Sequence, residues 1–197
     1  MTRFRRSGIN WEGRTWQVSA PIELLATMVE KTWPDKHPTD GTVASQRHDA
    51  NNPRSDHRPK PVTGPGIVRA IDIGEVIEDQ GETLTELLRA SRDPRIRYVI
   101  HEGRLFSSYD HSDGPAWEWR PYRGGNEHLD HVHVSILATA DTDARPFAFA
   151  LAVSSWAQRS WEWAKGRFSW SSGPQDVVTV EMLMVLLRRY HHSKDPE

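Results

Sequence analysis

The chain has 197 residues, enough for one ordinary domain or for a domain of about 150 residues with a small appendage. Its 25 basic and 27 acidic residues leave a net charge of −2, which offers no electrostatic footprint for nucleic acid. Cysteine is absent, which excludes disulfide frameworks, thiolate zinc fingers and a cysteine nucleophile, so any metal must be held by His and carboxylate ligands.

In chain order, residues 1–18 read as irregular and Arg-rich. Positive charge at the start is followed by no apolar stretch, so no signal peptide is expected. From Ser19, a candidate N-cap, Pro21 to Trp33 reads as a helix. Ile22, Leu25, Val29 and Trp33 recur at helical spacing, and Pro34 stops the run. Residues 34–66 read as a long polar loop that contains Ser55-Asp56-His57, and a loop of this length in a compact domain is uncommon and is usually functional or disordered. Ile67 to Ile73 is a β-branched run expected to be one buried strand. Its Asp72 is out of character, because a carboxylate enters an apolar strand only when paired or coordinating.

A helix is expected from Glu82 to Ser91. Arg95–Ile100 and Arg104–Ser107, separated by His101-Glu102-Gly103, read as a hairpin. A loop rich in Gly and Trp then leads to Glu127-His128-Leu129-Asp130-His131-Val132-His133-Val134-Ser135-Ile136. On a strand, His131, His133 and Ser135 share one face, and Val132, Val134 and Ile136 take the other. The order of elements predicts an α+β fold with a small, mostly antiparallel sheet flanked by helices. No apolar run is long enough for a membrane span.

Two unusual strands and one loop therefore carry the chemistry. His57, Asp72 and His133 supply two imidazoles and one carboxylate, a sufficient set for catalytic zinc with one position left for water. Asp130 stands three residues before His133, at the strand's entrance. His48 reads as a loop histidine and Glu127 as a solvated flank. His101, His111, His191 and His192 read as surface residues.

Ser55-Asp56-His57, Ala70-Ile71-Asp72 and Asp130-His131-Val132-His133 together resemble the zinc D-Ala-D-Ala carboxypeptidase and L-alanoyl-D-glutamate endopeptidase family (peptidase family M15, VanY-like). The resemblance spans roughly residues 20–140 and is closest to the lytic forms carried by phages. It implies the zinc fold shared with hedgehog domains, and hydrolysis of amide bonds in peptidoglycan at the bacterial cell wall, reached after phage-type release from the cytoplasm. It implies His57, Asp72 and His133 as zinc ligands, Asp130 as general base, and His131 and His128 as stabilisers of the oxyanion. Ser55 is implied to contact substrate or ligand. The family's substrate-gripping Arg has no matching position here, since Arg47 and Arg54 both fall outside a motif. The chain departs from the family between His57 and Asp72, where Pro59–Gly66 is an extra, turn-rich excursion. A protein that keeps this fold while only binding the cell wall is the alternative reading.

From Arg145 the composition changes, and a boundary near residue 150 separates an expected peptidase domain, 1–150, from a helical module, 151–197. Helices are expected from Phe147 to about Phe168 and from Thr179 to Tyr190. The pair, with Gly173-Pro174-Gln175-Asp176 between its helices, resembles one S-layer-homology repeat, which would hold the chain on wall polymers; the alternative is that the two helices pack on the peptidase domain or on each other, burying their Trp and Leu faces.

Overall fold

The apolar stripe of residues 20–33 becomes helix α1, Ala20–Thr32, in the computed structural model, which describes residues 3–75 and 80–147. Ser19 takes the N-cap position without a side-chain cap bond, and Pro21 occupies the first turn, where its missing N–H costs nothing. Ile22, Leu25, Ala26, Val29 and the C-capping Trp33 are all buried.

The fold is α+β. Before α1 come two short strands, β1 (Ser7–Ile9) and β2 (Thr15–Val18); α2 (Gln46–Asn51) follows it. Then come β3 (Gly66–Val68), β4 (Ala70–Gly74), α3 (Gln80–Ser91), β5 (Ile96–His101), β6 (Arg104–Ser107), β7 (Arg120–Pro121) and β8 (His131–Ile136). The main sheet has the order β4-β8-β5-β6-β7 and is antiparallel throughout. A smaller sheet, β1-β2-β3, pairs β1 with β2 antiparallel and β2 with β3 parallel.

Three sequence expectations are corrected here. Residues 1–18 are not irregular, because β1 and β2 form a ribbon that β3 completes. The single strand expected over Ile67–Ile73 is two strands in different sheets, parted at Arg69, whose guanidinium turns aside to Asp141 at 2.6–2.7 Å. The long loop contains α2, capped by Ser45, whose hydroxyl accepts from the His48 N–H at 3.2 Å. The Pro59–Gly66 excursion loops out as the sequence suggested, closed by a pair of backbone hydrogen bonds between Lys60 and Ile67 at 2.8 and 3.0 Å.

The position of β8 decides the rest. Lying between β4 and β5, it is buried on both faces. Val132 and Val134 stand opposite Ile73 and Ile71 on the face that helix α3 covers with Leu84 and Leu88. The opposite face carries His131, His133 and Ser135, facing Gly74, Asp72 and Ala70 of β4. The β5–β6 hairpin turns through Glu102 and Gly103, both with positive φ, the two-residue arrangement that matches strand twist. No helix among the described residues is long and apolar enough to cross a membrane. The helices expected between residues 147 and 190, the S-layer-like module and His191 and His192 lie outside the described residues.

Candidate metal centre

Asp72 and His133 are cross-strand partners on β4 and β8, so the sheet register itself sets their side chains together. His57 comes from the loop after α2, tied down at three points. Its C=O accepts from Ala44 N at 3.0 Å, its N–H donates to Ser55 Oγ at 3.2 Å, and Arg69 N donates to Asp56 O at 2.9 Å. Ahead of α2, Gly41 exchanges two backbone bonds with Asp72, at 2.8 and 3.0 Å, which holds the segment between α1 and α2 against β4.

The result is a triangle of donor atoms. His57 Nε2 lies 3.1 Å from Asp72 Oδ1 and 3.1 Å from His133 Nδ1, and His133 Nδ1 lies 2.9 Å from Asp72 Oδ1. The protonation state follows from the outer partners. His57 Nδ1 lies 2.6 Å from the Thr42 carbonyl, which only accepts, so Nδ1 carries the proton and Nε2 presents a lone pair. His133 Nε2 is 3.0 Å from the Ser135 hydroxyl. One proton on His133 Nδ1 serves both neighbours but leaves His57 Nε2 against the Asp72 carboxylate with nothing between them. A cation relieves all three contacts at once. Three donors at 2.0–2.1 Å from one ion stand about 2.9 Å apart in an octahedral arrangement and about 3.4 Å apart in a tetrahedral one. The observed edges fall within that range. These three residues therefore form a group that can hold a metal ion, and two imidazoles with one carboxylate suit zinc or iron(II) rather than magnesium or calcium.

Electrostatics agree. Burial acts to raise the Asp72 carboxyl, but His57 and His133 outweigh it and hold the group well below the usual carboxylate range. Burial acts against protonation of His57, yet the Asp72 charge and hydrogen bond and the Thr42 carbonyl move it upward. Burial lowers His133, with Asp72 opposing.

Around this triangle stand further imidazoles. His131 Nδ1 is 2.7 Å from Asp130 Oδ1, and its Nε2 is 3.8 Å from Asp72 Oδ1. Asp130 does not itself contact the triangle; its side chain is 59% exposed and its carboxylate holds the far side of His131. His128 adopts a left-handed backbone, with φ 54°, and its ring lies 4.8 Å from that of His131 and 5.4 Å from that of His133. Its Nδ1 donates to the Asn126 carbonyl at 2.6 Å, so its Nε2 is unprotonated, and burial followed by the charges of His133 and His131 pushes it down to about 4.

Ser55 is buried, with Oγ between the His57 N–H and His48 Nε2, the latter at 2.9 Å. His48 is thus a half-buried residue of α2 rather than a loop histidine, and its ring meets that of His57 edge-on at 5.5 Å. Glu127 is exposed, as is His111. His101, expected on the surface, is 1% exposed. One participant escaped the sequence reading. Tyr98 stacks on His133 at 5.5 Å, with its hydroxyl 3.4 Å from Asp56 Oδ2, and burial pushes its phenol up to about 12. Its signal is the pairing of Tyr98 with Ser135, which no single strand reveals.

No family model, no curated protein and no solved structure matches this chain.

Proposed function

We propose that the chain is a zinc-dependent peptidase of the VanY-like type that cleaves amide bonds in peptidoglycan stem peptides or cross-links at the bacterial cell wall. The observation that carries the reading is the triangle of His57 Nε2, Asp72 Oδ1 and His133 Nδ1, built from the residues that resemble the family's ligand motifs. The antiparallel sheet beneath α3 is in keeping with the hedgehog-type zinc fold.

His57, Asp72 and His133 would hold the zinc. When bound, zinc supplies Lewis acidity, polarising an amide carbonyl and acidifying water. The remaining work falls to the side chains. His131 keeps its Nδ1 proton on Asp130 and presents Nε2 to the ligand triangle, the arrangement of a general base oriented by a carboxylate. Asp130 thus acts through His131: it fixes the tautomer and stabilises the imidazolium once His131 has taken the proton of the attacking water. His131 then returns the proton to the leaving amine. His128, neutral and with Nε2 unprotonated, is an acceptor and fits a substrate N–H better than an oxyanion. Ser55 supports His57 from within the protein rather than touching substrate.

The test is incubation of the zinc-loaded chain with purified peptidoglycan, with new amino groups counted and products weighed by mass spectrometry. Release of amines that stops in His133→Ala supports the reading. Wall binding with no amine released from any wall type sinks it in favour of a binding protein.

A further inference from the structure

The face of the main sheet opposite the ligand triangle carries a second cluster. Ile100 stands across from His133 and shares its face, so the next residue, His101, points to the other side, beneath α3. There His101 Nε2 meets the Glu75 carboxylate, while Nδ1 is buried with no hydrogen-bond partner. A ring nitrogen of His101 and one carboxylate oxygen from each of Glu82 and Glu102 lie within 4.8 Å of one another. Gly81 makes this possible, since a Cβ there would overlap both Glu75 and His101. Three carboxylates thus gather about one imidazole and one guanidinium, Arg104, which pairs with Glu82 and lies 4.0 Å from Glu102.

Two features of this cluster are unbalanced. Three carboxylates, Glu75, Glu82 and Glu102, outnumber the single guanidinium of Arg104 beside a nearly fully buried ring. The unpartnered nitrogen is the second, since a buried polar atom without a partner is costly and rare in native folds. A divalent cation removes both. One imidazole with carboxylates is a donor set for first-row divalent ions, and a carboxylate on the far nitrogen of a ligating histidine is a recurrent support. Glu82, Glu102 and Glu75 keep 46%, 55% and 24% of their side chains exposed, which leaves an entry path for the ion.

We infer that His101, Glu82 and Glu102, supported by Glu75, form a second divalent-cation site with a structural role. It joins the start of α3, the end of β4 and the β5–β6 turn. That turn holds the segment leading to the first site: Glu102 N donates to His128 O at 3.0 Å, and Gly103 N to Glu127 O at 2.7 Å. Glu75 N reaches Asp130 O at 3.3 Å. The inference is independent of the peptidase reading.

Zinc alone is the probe. The full chain, stripped with chelator and dialysed against zinc, should hold two ions; Glu82→Gln with Glu102→Gln, both with about half of the side chain exposed, should hold one. His133→Ala should also hold one, and its thermal midpoint should still rise with zinc, a rise lost when the two glutamate substitutions are added. Uptake unchanged by the glutamate substitutions, in the parent or in His133→Ala, overturns the site, as does a parent that holds no ion beyond the one lost in His133→Ala. Failure of the first site reads differently: parent and His133→Ala then take up equal zinc.

Discussion

Replacing His131 by Gln separates two accounts of proton transfer. If His131 is the base and Asp130 its positioning residue, the two substitutions His131→Gln and Asp130→Asn remove one function. A general base is worth about 10²–10⁴-fold, or roughly 3–5 kcal/mol of transition-state stabilisation. The structure sorts the two within that range. The His131 side chain is 9% exposed and sits 3.8 Å from a ligand oxygen, so its loss falls near the upper end, about 10⁴-fold in kcat. Asp130 is 59% exposed, so water partly replaces its carboxylate as partner of Nδ1 and its loss falls near about 10²-fold. Because the pair acts as a unit, the double variant should be no worse than His131→Gln alone. Turnover of soluble muropeptides is read by released amine, with zinc content measured alongside to show that the ligands are undisturbed. A His131→Gln enzyme within threefold of the parent, beside an inactive Asp130→Asn, refutes the argument and makes Asp130 the direct base.

Other outcomes follow from the framework. Arg3 and Asp40 form a buried pair at 2.6 and 2.9 Å that also binds the Trp33 and Gly74 carbonyls, so Asp40→Ala strands a guanidinium. The cost is about 3–5 kcal/mol, a fall of roughly 6–20 °C in thermal midpoint by calorimetry. Burial and the neighbouring charges of His133 and His131 push the His128 imidazole down from its ordinary value of 6.5 to about 4. Between those values the unfolded chain binds more protons, so the His128 contribution to stability is fully present above pH 6.5 and is lost as pH falls toward 4. Denaturant titrations of metal-free protein should show this slope, and His128→Asn, which tolerates the left-handed backbone, should flatten it. Replacing Pro61–Pro65 with a single Asn leaves a two-residue Asn-Gly turn between Lys60 and Ile67, which are already hydrogen-bonded to each other. Zinc uptake should be unchanged and the midpoint should move by only a few degrees, since loop closure depends weakly on length. Uptake lost in that variant would show that the excursion shapes the site.

Local pattern was enough for α1, α3, the β5–β6 hairpin and β8, because each declares itself through its own periodicity, cap or turn. It was also enough to single out Asp72 and His133, since polar residues on apolar strands stand out against their neighbours, and His57 through its Ser55-Asp56-His57 motif in the long loop. What sequence could not decide was everything that depends on a partner distant along the chain. β1 and β2 are three and four residues long and become strands only because they pair with each other and β2 pairs with β3. α2, six residues long, is too short to be stable alone and is held by its cap and by the His48–Ser55 contact. The break at Arg69 arises because two sheets compete for one apolar run, and the chain turns where Arg69 reaches Asp141. Register placed Tyr98 beside His133, and the strand pleat sent His101 to the opposite face, under α3. Residue type marked the donors; strand pairing decided which of them meet.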